Sequence, residues 1–397
     1  MKEEYYSLLR CCLDPKKEPP RGIDKINWQE LLSFAMEQSI VGIYWYGINT
    51  LSSASEDAKA AFSGNTPSMH DLLDWGAEAK SIELRNQTVN KYCGKAMKCF
   101  KVEGFRSCIL KGQGNTLLYP APYSRTPGDI DVWVIPTAER MQKAKSEATF
   151  WQRLLLSDRM ETIRYVRSLT PGEKFKCQHI KFSIWDDMPM EVHFYPMYLE
   201  FLPSNIALQK FFKQYRDAQF ANLQTLPDTD VKVAIPTPFF NAIYQLTHIN
   251  VHLLIEGIGL RQFIDYYYVL RNVREEDHDA IRKILSRLHL SRLASAVMWI
   301  EQEVLGLPAQ FCYIKPDAKR GRKLLREIET GGNFGHYDKR MNHSADEGFW
   351  HVQFRKIIKH SRYIVDYPTE ELSEPVFRLC HYLWRQFYQM KYNMFFK

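Results

Sequence analysis

The feature that most constrains the fold of this chain is a short strand-like run, DIDVWVIP, at residues 129–136. Its β-branched and aromatic residues favour a strand, which Pro136 ends. Because side chains alternate across a strand, Asp129 and Asp131 lie on one face, while the apolar residues between and after them lie on the other. The run therefore predicts one strand of a packed sheet that carries two carboxylates on a single face.

This pair of aspartates has two explanations. An exposed strand face often carries charges without any special function. If the pair is buried instead, repulsion and desolvation cost several kcal/mol unless a cation neutralises the charges. Mg²⁺, or Mn²⁺ in its place, prefers carboxylate oxygens, so Asp129 and Asp131 are candidate metal ligands.

A second strand-like segment carries a third carboxylate. MEVHFYP at residues 190–196 alternates in character, which places Glu191 and His193 on one face. HIKFSIW at residues 179–185 alternates in the same way, and DDMP between the two segments supplies a turn, so we predict an antiparallel hairpin. A Glu191 beside the two aspartates would complete a triad of the kind that holds two metal ions. His179 lies either near those metals or at the end of a loop.

Residues with phosphate-binding chemistry precede the aspartates. SCILKG at residues 107–112 predicts a strand that ends in Lys111 and Gly112. A helix start follows, and the backbone N–H groups of a helix start favour phosphate. Arg125 can clamp phosphate oxygens, and Gly128 lets the chain approach a metal site closely.

The remainder of the chain has mostly helical periodicity. Residues 1–105 are predicted to form an N-terminal helical lobe, residues 106–203 a mixed α/β core, and residues 204–397 a C-terminal helical lobe. Helices are predicted at 28–52, 76–103, 138–156 (capped by Thr137), 238–255, 259–272, 278–289, 293–305, 318–329 and 374–391. The predicted fold class is therefore α+β, a small mixed sheet with helices, flanked by N-terminal and C-terminal helical lobes.

Composition and charge narrow the functional classes. The chain has 53 Lys and Arg against 46 Asp and Glu. This mild excess attracts an anionic ligand, but it is too small to predict binding of a long nucleic acid.

The eight cysteines include no C-x-x-C pair, which argues against a zinc ribbon and favours reduced thiols. The N-terminus lacks the apolar core of a signal peptide, and the longest uncharged run, 233–255, contains prolines, asparagines and histidines. We therefore expect a cytoplasmic protein with no transmembrane segment, in an oligomeric state that the sequence leaves open.

The motifs together resemble a known family. ILKGQGNTLLYPAPYSRTPGDIDVWV followed by MEVHFYP resembles the uncharacterised nucleotidyltransferase family, a bacterial family of the DNA polymerase β superfamily. That family has a lysine–glycine turn, then Arg-x-x-Gly-Asp-Ile-Asp and a later Glu-x-His strand. HLLIEGIGLRQFIDYYYVL and GGNFGHYD resemble its helical C-terminal part, so the likeness extends over most of the chain. One departure from the wider superfamily is Lys111-Gly112, which replaces a Gly-Ser or Gly-Gly turn.

The resemblance implies a metal site on the sheet and a reaction. Asp129 and Asp131 would each bind metal, and Glu191 would complete the site and help to deprotonate an attacking hydroxyl. The implied reaction transfers a nucleoside monophosphate from an NTP, with ATP favoured, to a hydroxyl of a small molecule or protein and releases pyrophosphate. The alternative is a catalytically inactive NTP-binding protein of the same fold that acts through partner binding.

Two pairs of residues on predicted helices could also line a substrate cleft. His248 and His252 are four residues apart, and so are Arg261 and Asp265. Packing or capping is the simpler explanation for the histidines, and a helical ion pair is the simpler one for Arg261 and Asp265. The resemblance raises the alternative that the helix of Arg261 and Asp265 faces the cleft and recognises the base or the acceptor.

Two further expectations concern stability and the C-terminus. Three crowded carboxylates should repel one another without metal, so we expect Asp131→Asn to be at least as stable as the wild type in chelator. At the C-terminus, Leu379, Leu383, Phe387 and Met390 share one helical face. Core or interface packing explains that face best, and peripheral membrane contact is the lesser alternative.

Overall fold

The structure, a computed structural model, describes residues 3–14, 20–54, 64–338 and 362–395. The chain forms two compact units. The sheet unit comprises residues 88–117, 127–244 and 372–397, and the helical unit comprises residues 1–87, 118–126 and 245–371. The boundaries predicted at residues 105 and 203 stay predictions, and the two units do not follow them. In the described residues, no helix is both long and apolar enough to cross a membrane.

Strands occur in the sheet unit, and helices occur in both units. The strands are β1 (Phe105–Ile109), β2 (Ile130–Pro136), β3 (His179–Lys181), β4 (Met190–His193), β5 (Leu223–Thr225) and β6 (Lys232–Ala234). The α-helices are α1 (Glu3–Leu13), α2 (Trp28–Glu37), α3 (Val41–Ala54), α4 (Met69–Val102), α5 (Gln113–Thr116), α6 (Ala138–Glu147), α7 (Phe150–Leu155), α8 (Asp158–Leu169), α9 (Leu202–Ala221), α10 (Pro238–Ile255), α11 (Leu260–Leu270), α12 (His278–Arg287), α13 (Ser291–Trp299), α14 (Ala318–Gly331) and α15 (Pro368–Phe395).

The main sheet has the strand order β1-β2-β4-β3. β2 runs antiparallel to β1 and parallel to β4, and β3 runs antiparallel to β4, so the sheet is mixed. The predicted hairpin of β3 and β4 is thereby confirmed, with strands shorter than the sequence segments. The predicted α+β class with a small mixed sheet is confirmed as well.

One face of this sheet forms the core of the sheet unit. Ile130, Val132 and Val134 of β2 are buried there against apolar residues of α4 and α8, such as Phe100 and Ile163. Each fully buried aliphatic or aromatic side chain stabilises the fold by about 1.5–3 kcal/mol. This burial holds β2 rigidly and leaves Asp129 and Asp131 to the opposite side, as strand alternation predicts.

The helix bounds were predicted with mixed success. The helix at 238–255 is confirmed, and Thr137 caps α6 by accepting a hydrogen bond from the Arg140 N–H. The single helix at 28–52 is wrong because the chain turns at Ser39, whose φ is 57°, a strained value for a residue with a Cβ. The single helix at 138–156 is wrong because Ala148 is extended and a capping box at Thr149 starts α7.

Three elements were absent from the sequence prediction. Residues 158–169 form α8, residues 202–221 form α9, and the short hairpin of β5 and β6 interrupts the lobe that we predicted to be helical from residue 204 onwards. The helix predicted at 293–305 changes to a π-helix at Ile300–Val304. The helix predicted at 374–391 extends over Pro368–Phe395 and includes Pro375.

Candidate active site

The pairing of β2 with β4 positions the carboxylates. In the parallel register, Asp131 lies opposite Glu191, and Trp133 lies opposite His193. Asp129 comes immediately before β2. One carboxylate oxygen from each of Asp129, Asp131 and Glu191 lies within 4.8 Å of the other two. The three carboxylates that we predicted to converge therefore form one cluster, which we call the carboxylate triad.

Two cations neutralise Asp131 at the centre of the triad. Its side chain is only 1% exposed. One carboxylate oxygen, Oδ1, lies 3.0 Å from His193 Nε2, and the other, Oδ2, lies 3.2 Å from Lys111 Nζ. Burial alone would raise the pKa of Asp131, but Lys111 and His193 outweigh it and hold that pKa well below its usual range.

The pKa values of the two cations respond in turn. Burial lowers the pKa of His193, but hydrogen bonds to Asp131 and Glu191 outweigh burial and raise the pKa to about 9. Burial likewise opposes the charge of Lys111, while Asp131 and Asp129 raise its pKa. Both groups are therefore positively charged at neutral pH, and they stabilise the ionised form of Asp131.

The premise of our expectation for Asp131→Asn is wrong for this reason. We assumed that the triad without metal contains unpaired like charges. Repulsion does act on Asp129, whose pKa is raised first by the charge of Asp131 and then by burial. Asp131, however, is a paired charge, so its neutralisation removes favourable contacts and leaves Lys111 beside a neutral side chain.

Glu191 joins the triad to two histidines. Its Oε2 lies 3.2 Å from His179 Nδ1 and 3.7 Å from His193 Nε2. Burial raises the pKa of Glu191, but the two histidines outweigh it and lower that pKa. Burial, assisted by the charge of His193, lowers the pKa of His179 to about 4, so His179 is neutral at neutral pH. His179 thus lies beside the triad, which the sequence left open against a position at a loop end.

The donor atoms of this cluster fit a divalent cation. The triad offers only carboxylate oxygens, which suit Mg²⁺ and Mn²⁺. His179, Glu191 and His193 form a second group whose ligand atoms also lie within 4.8 Å of one another. With Lys111 and His193 charged, three carboxylates face two cations, so the cluster retains negative charge that a metal ion could neutralise.

The turn before the triad differs from the predicted phosphate cradle. Gly112 has φ 60° and ψ −110°, a conformation that strains any residue with a Cβ. The helix that follows, α5, has four residues, which is too short for a substantial dipole at its N-terminus. Lys111 is directed to Asp131, and Gly128 is exposed at the start of the motif. Phosphate binding by Lys111, Gly112 and Gly128 stays a prediction.

Sequence reasoning missed one residue near the triad. Tyr244 of α10 is buried, and its pKa lies well above the usual range because of burial and then because of the charges of Asp131 and Asp129. The Tyr244 hydroxyl therefore stays protonated close to two carboxylates. No motif in the sequence marks it, since α10 reads as an ordinary apolar helix.

The family comparison agrees with this geometry. A family model described as uncharacterised nucleotidyltransferase matches residues 24–306, well over half of the chain and all of the residues above. The chain belongs to this nucleotidyltransferase family. No curated protein and no solved structure gives a significant match.

The other predicted site residues of this nucleotidyltransferase lie in the helical unit. Arg125 forms a bidentate ion pair with Asp265. Its Nε donates to Oδ1 at 2.7 Å, and its Nη2 donates to Oδ2 at 2.8 Å. Tyr119 donates a third hydrogen bond to Asp265 at 2.7 Å, and both charged residues are buried. Arg261 donates to the Thr126 carbonyl at 3.1 Å. The arginine of the motif therefore closes a buried ion pair here, and phosphate binding by Arg125 stays a prediction.

The two histidines of α10 also lie in the helical unit. The rings of His248 and His252 are 4.2 Å apart, and His252 Nδ1 lies 3.0 Å from Glu256 Oε2. The ring of Phe334 is 5.3 Å from that of His252. The structure does not bring these groups into the two metal-competent clusters found among the described residues. A role of His248, His252, Arg261 or Asp265 in lining the cleft stays a prediction.

Proposed function

We propose that the chain is a Mg²⁺- or Mn²⁺-dependent transferase that moves a nucleoside monophosphate from an NTP, with ATP favoured, to a hydroxyl of a small molecule or protein. The observation that carries the proposal is the carboxylate triad on two parallel neighbouring strands. We also assign the fold to the DNA polymerase β-like superfamily and the source to bacteria, on the motif Arg-x-x-Gly-Asp-Ile-Asp followed by a Glu-x-His strand. A cytoplasmic location remains part of the same proposal.

The bonds exchanged in this reaction are simple. The acceptor oxygen bonds to the α-phosphorus, the bond from that phosphorus to the bridging oxygen breaks, and pyrophosphate leaves. A metal held by Asp129, Asp131 and Glu191 would neutralise phosphoryl charge and make the acceptor hydroxyl more acidic. The Glu191 carboxylate is ionised at neutral pH and partly exposed, so it can accept the hydroxyl proton.

The two cations have positioning roles in this proposal. His193 holds Asp131 through Oδ1 and stays protonated at neutral pH, so it fixes the orientation of that carboxylate. Lys111 lies beside the triad with a charged ammonium, and it can exchange Asp131 for a phosphate oxygen when the NTP arrives. Neutral His179 supports Glu191 without adding charge to the site.

One observation favours the alternative, an NTP-binding protein without turnover. Lys111 and His193 already neutralise Asp131, so the fold does not need a metal ion to tolerate this buried charge. In that case the triad would be a structural charge network. The two functions differ in whether pyrophosphate is released.

The test measures pyrophosphate release from each NTP with Mg²⁺ or Mn²⁺, in the presence of pooled small-molecule hydroxyl compounds or protein extract. Asp129→Asn removes one predicted metal ligand. Asp186→Asn is the matched control, because Asp186 is an exposed carboxylate in the loop between β3 and β4. We expect release by the wild type and the control and its loss in Asp129→Asn. Binding of an NTP without release under every condition would favour the alternative.

A further inference from the structure

The sheet unit contains a polar cavity that the proposed chemistry does not use. It has a volume of about 950 Å³ and lies between α8, the turn after it and α15. Its charged lining consists of five cationic residues and one carboxylate: Arg140, Arg164, Arg167, Lys174, Arg385 and Glu161. We call it the basic cavity.

The single carboxylate of the basic cavity is already shared by two arginines. Glu161 Oε1 lies 2.9 Å from Arg140 Nε, and Glu161 Oε2 lies 2.8 Å from Arg164 Nη1. Lys174 and Arg385 have no ion-pair partner in the described part of the chain. The five cationic residues of the lining therefore outnumber its one carboxylate, and a further carboxylate, Glu103, contacts Arg140 from outside the lining.

Arg167 is the residue of the lining that most favours an anion. It is only 9% exposed, yet its hydrogen-bond acceptors are neutral: the Glu173 carbonyl at 3.1 and 2.9 Å and the Gln389 amide oxygen at 3.1 Å. Its guanidinium lies over the rings of Phe175, at 5.1 Å, and Tyr392, at 4.5 Å. Burying a charge without an opposite charge is unfavourable, and proteins rarely do so without a ligand or partner.

The basic cavity is distinct from the carboxylate triad. On its inner side, α8 packs Ile163 and Val166 against the apolar face of β2, the face opposite Asp131. The sheet and α8 thus separate the cavity from the triad. An anion bound in the cavity would not be the NTP whose α-phosphorus reacts at the triad.

We propose that the basic cavity binds a small polyanion that carries a pyrophosphate or polyphosphate group. The planar guanidinium groups of Arg164 and Arg167 suit phosphate oxygens, while Lys174 and Arg385 supply further charge at the rim. Ser168, Gln386 and Asn393 add neutral hydrogen-bonding groups to the lining. The group could belong to a nucleotide or to a free inorganic polyphosphate, which share this chemistry.

The test is binding of inorganic tripolyphosphate to the full chain in EDTA, measured by calorimetry and by thermal shift. The double variant Lys174→Gln, Arg385→Gln removes two unpaired charges, and neither residue supports the fold through an ion pair. Lys210→Gln, Lys213→Gln is the matched control, since both lysines are exposed on α9 and the net charge changes equally. We expect at least about tenfold weaker binding in the first variant and less than twofold change in the control.

Equal weakening in both double variants would mean nonspecific attraction and would overturn the proposal, and so would absence of binding to the wild type at millimolar tripolyphosphate. Competition then distinguishes the two sources. Displacement by AMP and ADP below the concentration needed with pyrophosphate identifies a nucleotide, and the reverse order identifies free polyphosphate.

A second, independent observation concerns the exposed face of α15. The opposite face of this helix packs on the sheet unit through aromatic residues, as in the stacking of Phe377 on Tyr198 at 5.0 Å. The exposed face carries seven large apolar residues, each between 58% and 70% exposed: Leu372, Val376, Leu379, Leu383, Phe387, Met390 and Met394. We call this face the apolar stripe. Burial in the core of this chain, one of the expected explanations for the tail, is therefore wrong for the stripe in the described structure.

The apolar stripe is symmetric about Leu383. Its steps along the chain are 4, 3, 4, 4, 3 and 4 residues, which read the same in both directions. In a twofold-symmetric dimer, if residue i of one copy contacts residue j of the other, then residue j of the first copy contacts residue i of the second. An antiparallel pair of α15 helices would therefore pair Leu383 with its own copy, Leu379 with Phe387, Val376 with Met390, and Leu372 with Met394.

The area and shape also suit a second copy. At roughly 100 Å² of exposed area for each large apolar side chain, the stripe offers about 700 Å² per protomer, close to the ~800 Å² that each partner buries in a standard interface. An apolar groove of about 510 Å³ adjoins Leu372 and Val376. In the antiparallel arrangement this groove receives the flexible methionines from the other end of the stripe.

We infer that the apolar stripe is the interface of an antiparallel homodimer. Leu383→Glu places two like charges together at the twofold axis, and Leu73→Glu is the matched control on an exposed leucine of α4. Sedimentation equilibrium should show a dimer for the wild type and the control and a monomer for Leu383→Glu. In a Cys380→Ser background, Leu383→Cys should form an intermolecular disulfide and Leu372→Cys should not.

A wild type that stays monomeric up to about 100 μM would overturn this inference, because an interface of this size normally gives tighter association. A disulfide in Leu372→Cys comparable to that in Leu383→Cys would also overturn it, because that result indicates a parallel pair.

Discussion

Two buried aspartates of this chain, Asp265 and Asp131, have their negative charges neutralised in different ways. Asp265 in the helical unit has one cation, Arg125, bound at both oxygens, and its third hydrogen bond comes from Tyr119. Asp131 in the sheet unit has one cation at each oxygen and two more carboxylates within 4.8 Å. The first arrangement is closed, because its charges are matched. The second has an excess of negative charge and is therefore suited to take up another cation.

A third buried carboxyl, Glu301, extends this comparison. It is fully buried in the π-helix, and neither of its oxygens has a hydrogen-bond partner in the described residues. Burial raises its pKa well above the usual range, so the folded chain keeps this group protonated. The charge of a buried carboxyl therefore depends on the cations around it. Asp265 has one matched cation, Asp131 has two cations in a crowded cluster, and Glu301 has none among the described residues.

The largest effect is expected from breaking the closed pair. Arg125→Gln should destabilise the fold by about 3–5 kcal/mol, because it leaves the Asp265 charge buried without a cation. The measurement is urea unfolding at neutral pH. Arg125→Gln combined with Asp265→Asn should lose less than the sum of the single variants. Simple additivity would show that the two residues act independently.

Asp131→Asn should have the next largest effect. In chelator we expect a loss of about 2–3 kcal/mol, since Lys111 and His193 lose a charged partner in a buried site. Added Mg²⁺ and a non-hydrolysable NTP should raise the melting temperature of the wild type and hardly change that of the variant. A variant as stable as the wild type in chelator would restore the repulsion account that the structure contradicts.

Lys111 has two possible roles, neutralisation of Asp131 and binding of the NTP phosphates, and one substitution distinguishes them. If its ammonium contacts the NTP, Lys111→Ala should weaken binding of a non-hydrolysable NTP by about 1–3 kcal/mol. Calorimetry on the folded variant measures this. Unchanged NTP affinity together with reduced stability would assign Lys111 to the neutralisation of Asp131 alone.

Glu301 gives the smallest effect and a pH dependence. The folded chain holds the Glu301 proton at a pH where the unfolded chain has released it, so the wild type loses stability as pH rises above the ordinary glutamate range. Glu301→Gln removes this slope and should be nearly equal to the wild type at pH 4 and more stable by about 1 kcal/mol at pH 5, because each pH unit above the unfolded glutamate pKa costs the wild type about 1.4 kcal/mol. Urea unfolding at the two pH values checks the sign. A variant that is less stable at pH 5 would indicate a bound cation or an ionised Glu301.

Local features of the site followed from sequence periodicity. Alternation along residues 129–136 and 190–196 predicted which residues share a face, because the strand repeat is a property of the backbone itself. The same reasoning predicted the hairpin of β3 and β4 and the cap at Thr137, since both depend on neighbours in the chain. Periodicity offered Glu191 as a candidate third carboxylate, and the family resemblance implied that it joins the two aspartates.

Tertiary structure decided the partners of the charges. Asp265 meets Arg125 across 140 positions of sequence, and His193 meets Asp131 across 62. No local pattern encodes such distances, because they depend on strand register and helix packing. The sequence alone therefore determined that acidic groups lie on one strand face. Only the fold decided which are neutralised and which remain able to bind a metal ion, because pKa values depend on burial and on charges brought close by packing.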